Sequence, residues 1–175
     1  MAAGKNYICS QFEKDGWTSL DCDIFVHNAI DIAKDKILDT FTPHAEKLNI
    51  KLQRESDGSI DRRALGQLLF SMPSLLEVQE NIVYTIITKQ IDDYIAEHPD
   101  EKIIINATVL FKTPELMKKC EKIIFVTAPF FTRLKRAKKR DNLPYKQILQ
   151  RFWSQRNLYR KYKATKIPIE VVNNK

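Results

Sequence analysis

Strands alternating with helices predict an α/β chain with a mostly parallel sheet. Three observations carry that prediction. Residues 102–111 and Ile123–Thr127 are nearly continuous β-prone runs, the pattern of strands covered on both faces. Apolar residues recur at helical spacing between the strand candidates, as in Phe25, Ala29, Ile30, Ala33, Ile37 and Phe41. Helix start signals punctuate the later segments, with Thr113-Pro114, Pro129 and Pro144 placing proline where its missing N–H does no harm.

Taken in order, residues 7–12 continue from Gly4-Lys5 in a pattern that fits a helix. Trp17–Asp21 follows Gly16, is rich in strand formers, and is read as a short strand ending at Asp21. The stripe from Phe25 to Phe41 predicts one long helix. Asp57-Gly58 marks a turn. Asp61 begins a helix expected to turn Leu65, Leu68, Leu69 and Phe70 inward. Ser74 and Glu77 have the spacing of a capping box. The helix they open carries Val78, Ile82, Val83, Ile86, Ile87, Ile91 and Tyr94, and should reach about Ala96. A strand over 102–111, a helix from Pro114, the strand Ile123–Thr127, helices from Pro129 and Pro144, and a last strand over 167–172 complete the pattern.

The 175 residues make one domain with enough apolar content, 43%, for a real core. No apolar run approaches the roughly 20 residues of a membrane span, and the first residues lack a signal-peptide core. Cys9, Cys22 and Cys120 are odd in number and dispersed, which argues against a disulfide framework and against zinc. His27, His44 and His98 show no metal spacing either. The expected compartment is the cytoplasm.

Charge is localised. Between Arg133 and Lys166 thirteen Lys/Arg face one acid, Asp141, a net +12 that leaves −5 for the rest of a chain whose total is +7. An anionic partner at one place follows, either nucleotide phosphates or a nucleic acid; the plain alternative is a solvated basic face. Arg133, Arg136 and Arg140 recur at spacings of three and four and so share one helical face. Arginines closing over a transferred phosphoryl group stabilise its spread charge, so the segment reads as a lid. Phe152, Trp153, Tyr159 and Tyr162 could stack on bases, although their helical spacing favours ordinary packing.

Three further constellations carry chemistry. Met1-Ala2-Ala3-Gly4-Lys5-Asn6 has the second half of the phosphate-binding pattern G-x-x-x-x-G-K-[ST], with Asn6 where a magnesium-binding hydroxyl usually stands. Asp21 and Asp23 flank Cys22 where a strand meets a helix. They could hold Mg²⁺ or accept a hydroxyl proton, and Asp23 could equally cap the helix. In Asp61-Arg62-Arg63, arginine could anchor an anionic substrate while Asp61 caps. Ligands of parallel sheets sit at the carboxyl ends of strands, so Gly4-Lys5 and Asp21–Asp23 are expected on one rim.

Together these residues resemble the dephospho-CoA kinase family over almost the whole chain. Ala2-Ala3-Gly4-Lys5-Asn6 is similar to its P-loop, and Asp21-Cys22-Asp23, with His27 four residues on, to its D-A-D. Asp57-Gly58-Ser59-Ile60-Asp61-Arg62-Arg63-Ala64-Leu65, running on to Phe70, resembles its D-G-x-[IL]-D-R-x-x-L segment, the most specific match. Leu134, Arg136, Arg140 and Asp141 fit the lid pattern L-x-R-x-x-x-R-D. Gln155 resembles a following Gln, and Val171-Val172-Asn173-Asn174 echoes V-I-D-N. The chain departs from the family at Asn6, at Tyr84-Thr85 in place of H-P, and at Thr108-Val109-Leu110-Phe111-Lys112 in place of P-L-L-F-E.

The resemblance implies a three-layer P-loop kinase fold in one domain, residues 1–175. Its core is about 1–55, 100–130 and 165–175, its helical acceptor region about 56–98 and its arginine-rich lid about 131–160. The implied activity is ATP-dependent phosphorylation of the ribose 3′-hydroxyl of dephospho-CoA, the last step of coenzyme A synthesis. The alternatives are a related kinase with another acceptor, or a non-catalytic nucleotide- or nucleic-acid-binding member. The implied ATP site is Ala2, Ala3, Gly4, Lys5, Asn6, Tyr7, Arg136, Arg140 and Asn174, the last near the adenine. Lys5, Asp23 and Arg140 are the implied catalytic residues, with Asp23 as base. Asp23 and Arg62 would hold the acceptor, and Asn6 and Asp21 Mg²⁺. No membrane or nucleic-acid partner is expected, and Met1 is expected to be an internal methionine of a longer loop.

Overall fold

Gly4 takes a left-handed conformation (φ 90°) and releases the chain into helix α1, Lys5–Lys14. A second left-handed glycine, Gly16 (φ 80°), turns it into strand β1, Trp17–Asp21. Phe12 and Trp17 meet edge to face across that turn, with ring centroids 5.5 Å apart. This computed structural model describes all 175 residues, in two units: residues 1–20 with 99–175, and residues 21–98.

In the first unit β1 pairs with β2, Lys102–Asn106, and α1 packs on β2. Strand β3, Ile123–Thr127, lies parallel to β4, Ile169–Asn173, in a register running from Ile123 opposite Ile169 to Thr127 opposite Asn173. The strands thus form two separate pairs. Helix α6, Pro114–Lys118, buries Leu116 and Met117. Helices α7, Phe130–Asp141, and α8, Tyr145–Ser154, form a hairpin. Asn142 at φ 49° stops α7, and Pro144 precedes the first residue of α8. Ala137, Ile148 and Phe152 are its buried centre, and Met1, Ala2, Leu134 and Leu143 pack against it. A short α9, Leu158–Lys163, buries Tyr162, whose hydroxyl accepts a hydrogen bond from the Leu110 amide at 2.9 Å.

The second unit is helical. Its members are α2, Cys22–Ile32, α3, Lys34–Glu46, α4, Arg62–Ser71, and α5, Ser74–Glu97. Helix α5 packs against α2 and α4. The core of this unit includes Ala29, Ile30, Ile37, Phe41, Leu65, Leu68, Ile82, Val83, Ile87 and Ile91, all buried.

Several expectations change. The predicted long helix over 25–41 is interrupted at Ala33, although Ala29, Ile30, Ala33, Ile37 and Phe41 all stay buried and the Ile37 amide still reaches Ala33 O. Phe70 is not inward but 88% exposed: two residues beyond the buried Leu68, it lies about 200° further round the helix. Ser74 and Glu77 do not cap, because Pro73 already has helical angles and moves the start one residue earlier. Strand β2 stops at Asn106, where the chain turns into a 3₁₀ turn at Leu110–Lys112. Thr113 precedes α6 as expected, but its hydroxyl donates to Leu110 O, not to a helix amide. Phe152 and Tyr162 are packing residues, whereas Trp153 (69%) and Tyr159 (44%) are exposed. No helix is long and apolar enough to cross a membrane.

Candidate functional site

The left-handed Gly4 leaves α1 without a side-chain cap. The first intrahelical bond of α1 runs from Ile8 N to Gly4 O, so the amides of Lys5, Asn6 and Tyr7 have no intrahelical acceptor. Those amides and the helix dipole form an anion-binding terminus. Lys5 adds a full charge: its Nζ is buried and makes no hydrogen bond. A buried ammonium without a partner is costly, and an anionic ligand relieves that cost.

Three arginines of α7 gather round the same loop. The Met1 amine reports their field: its pKa is pushed down to about 6, first by burial and then by Arg133, Arg140 and Lys5. That amine also donates to Gln155 Oε1. Arg136 donates to Asn174 O at 3.3 Å and to Lys175 O at 3.4 Å. A Cβ built on Gly4 would lie 3.7 Å from Arg136 Nη1. Arg133 lays its guanidinium 4.5 Å above the Phe152 ring, with its Nε buried and unbonded. Asp141 balances part of this charge. It accepts from Arg140 at 2.7 Å, sits 3.7 Å from Arg151, and is held below the usual carboxylate range by the Arg140 hydrogen bond.

The resemblance implied Gly4, Lys5, Arg136, Arg140 and Asn174 in one ATP site, and the structure brings them together. Arg133 belongs to it as well. Its spacing with Arg136 and Arg140 was the signal for it.

Asn6, the expected magnesium ligand, is exposed and accepts from Asn106 Nδ2 at 3.3 Å. Magnesium commonly takes only one or two protein oxygens beside phosphate oxygens. A carboxamide oxygen is a hard donor of the right kind, so the residue fits such a role, although no group of three or more His, Cys, Asp or Glu is assembled for a metal.

In the second unit Asp21, not Asp23, caps α2, with its Oδ1 accepting from Asp23 N at 2.9 Å. Asp23, His27 and Asp31 stand at i, i+4 and i+8 on α2, all exposed, and so line one edge of it. Asp61 caps α4 through the amides of Arg63 and Ala64. Arg62 bonds Asp31 Oδ2 at 2.7 Å and keeps a buried, unbonded Nε. Asp31 was not singled out in the sequence, because a pair separated by 31 positions leaves no local signal.

The dephospho-CoA kinase family model matches residues 1–175. The dephospho-CoA kinase of Treponema denticola is 35% identical over 98% of this chain and 78% of its own length. That of Treponema pallidum is 31% identical over 90% and 75%. Two solved structures share the fold. TT1252 from Thermus thermophilus has a TM-score of 0.80 at 21% identity, covering 100% of this chain and 84% of its own. The dephospho-CoA kinase from Campylobacter jejuni scores 0.68 at 22% identity, over 100% and 85%. With a whole-chain family match and relatives above 30% identity, this chain belongs to the dephospho-CoA kinase family.

Proposed function

We propose that this protein transfers the γ-phosphoryl group of ATP to the ribose 3′-hydroxyl of dephospho-CoA, the last step of coenzyme A synthesis, in the cytoplasm. The observation that carries the nucleotide half is the buried, unbonded Lys5 ammonium at the uncapped end of α1. Fixed donors aimed where charge develops are the main device of phosphoryl transfer. The family relationship supplies the acceptor.

In this reading the amides of Lys5, Asn6 and Tyr7, with Ala2, Ala3 and Gly4, cradle the phosphates, and Lys5 follows the transferred group. Arg136 and Arg140 clamp it, with Arg133 as a third. Asp23 accepts the 3′-hydroxyl proton as the new O–P bond forms and the bond to the ADP oxygen breaks. Arg62, held by Asp31, orients the acceptor. Mg²⁺, when bound, would neutralise charge on the phosphate oxygens, and in the first unit Asn6 Oδ1 is the residue that would hold it.

Tyr84, Thr108 and Lys112 depart from the family pattern and motivate a second reading, the same chemistry on another small hydroxyl acceptor, which the relatives do not favour. ADP release measured over a panel of acceptors decides between them. Dephospho-CoA as best acceptor supports the first reading, and a different best acceptor supports the second.

A further inference from the structure

The terminal strand reaches back to the phosphate-binding loop through one side chain. Asn174 is anchored by its own amide, which donates to Thr127 O at 2.8 Å just past the β3–β4 pairing. Its Nδ2 donates to Ala3 O at 2.9 Å. Its backbone oxygen accepts from Arg136 Nη1. The carboxamide fills the space that a side chain at position 4 would need: a Cβ on Gly4 would overlap Nδ2 and lie 3.2 Å from Cγ.

A trans peptide points its C=O and its N–H to opposite sides. Holding Ala3 O on Asn174 therefore holds the Gly4 N–H facing away from Asn174. If this peptide flipped, the loop would present an oxygen where it now presents a donor, and an oxygen repels phosphate. From this geometry we infer that Asn174 is a positioning residue for the phosphate-binding loop, locking the Ala3–Gly4 peptide, and not a contact to the nucleotide base. The inference rests on the phosphate-binding reading of that loop, not on the identity of the acceptor.

The test compares ATP with inorganic tripolyphosphate, which has no base. Titration calorimetry on the wild-type protein, Asn174→Ala and the nearly isosteric, uncharged Asn174→Leu measures both affinities. Loss of one hydrogen bond that fixes a charged-ligand site predicts about tenfold weaker binding. The expected loss is equal for both ligands in both variants. In hydrogen exchange, the Ile8 amide, which bonds Gly4 O, should speed up while those of β3 and β4 keep their protection, a pattern that a general loss of stability does not produce. A loss confined to ATP overturns the inference in favour of a base contact. Unchanged affinities overturn it, and so does exchange that rises through β3 and β4 as well. If the wild-type protein binds neither ligand, the inference falls together with the phosphate reading. If the losses are equal but no CoA is formed, the inference stands and the acceptor assignment falls.

Discussion

The carboxamide of Asn174 lies in the space that Gly4 leaves by having no side chain, and there it donates to Ala3 O at 2.9 Å. Glycine is thus required at position 4 on two counts, the left-handed backbone and the occupied hollow. Gly16 has only the first requirement, since nothing lies within 4 Å of a Cβ built there.

Replacing each glycine by alanine separates the two effects. Gly16→Ala should cost about 1 kcal/mol, the strain of a left-handed non-glycine residue. Gly4→Ala should cost more, because the new methyl also displaces Asn174. Urea unfolding of both variants reads the difference; equal midpoints would show the hollow to be soft.

Lys5 sets function against stability. A buried ammonium without a partner destabilises the ligand-free protein. Lys5→Met should therefore raise the melting temperature without ligand and lower turnover by on the order of 10²-fold, through loss of charge stabilisation. Arg133→Met should keep the packing on Phe152 yet bind tripolyphosphate about tenfold more weakly, as expected for one charged hydrogen bond. A Lys5→Met protein that melts lower and retains full turnover would contradict the assignment.

Helix α4 offers a test of burial. Leu68→Ala, at a position with no exposed surface, should cost about 2–5 kcal/mol. Phe70→Ser, at 88% exposure, should stay within about 0.5 kcal/mol of wild type. Denaturant midpoints check both.

The α7–α8 hairpin should loosen in acid. Asp141 is held below its ordinary pKa, chiefly by the Arg140 hydrogen bond and further by the Arg140 and Arg151 charges, against a smaller opposing effect of burial. A carboxylate with a lowered folded pKa contributes stability that is complete above its unfolded value, about 4, and is lost as pH falls through the folded one. Asp141→Asn should therefore flatten the acid limb of a plot of stability against pH. An unchanged acid limb would mean that the pair contributes nothing.

The sequence revealed those parts of the fold that depend on local chemistry. Strand Ile123–Thr127 is written in a β-branched run, Trp17–Asp21 in strand formers that follow Gly16, and the helices after Pro129 and Pro144 in proline positions. The break at Ala33 was not legible, because the apolar face runs through it unchanged. Strand β2 was overextended because Val109, Leu110 and Phe111 are apolar for packing reasons; Phe111 meets Tyr162 edge to face at 5.3 Å. At the site, Gly4-Lys5 and the α7 arginines were readable from spacing. The Asn174–Ala3 bond joins positions 171 apart and the Arg62–Asp31 pair positions 31 apart, and no local pattern encodes either partner. Asp21 caps α2, where Asp23 was one open alternative, because α2 already begins at Cys22 and the capping position is the residue before it.

The central claim is phosphoryl transfer to dephospho-CoA, and its most direct measurement is product analysis. Purified protein with ATP, Mg²⁺ and dephospho-CoA should yield CoA and ADP in equal amounts. With Asp23→Asn, or with Lys5→Met, turnover should fall by on the order of 10²-fold, the size expected for losing a catalytic base or a charge stabiliser. ATP binding with no CoA formed, or CoA formed at the wild-type rate by both variants, would contradict it.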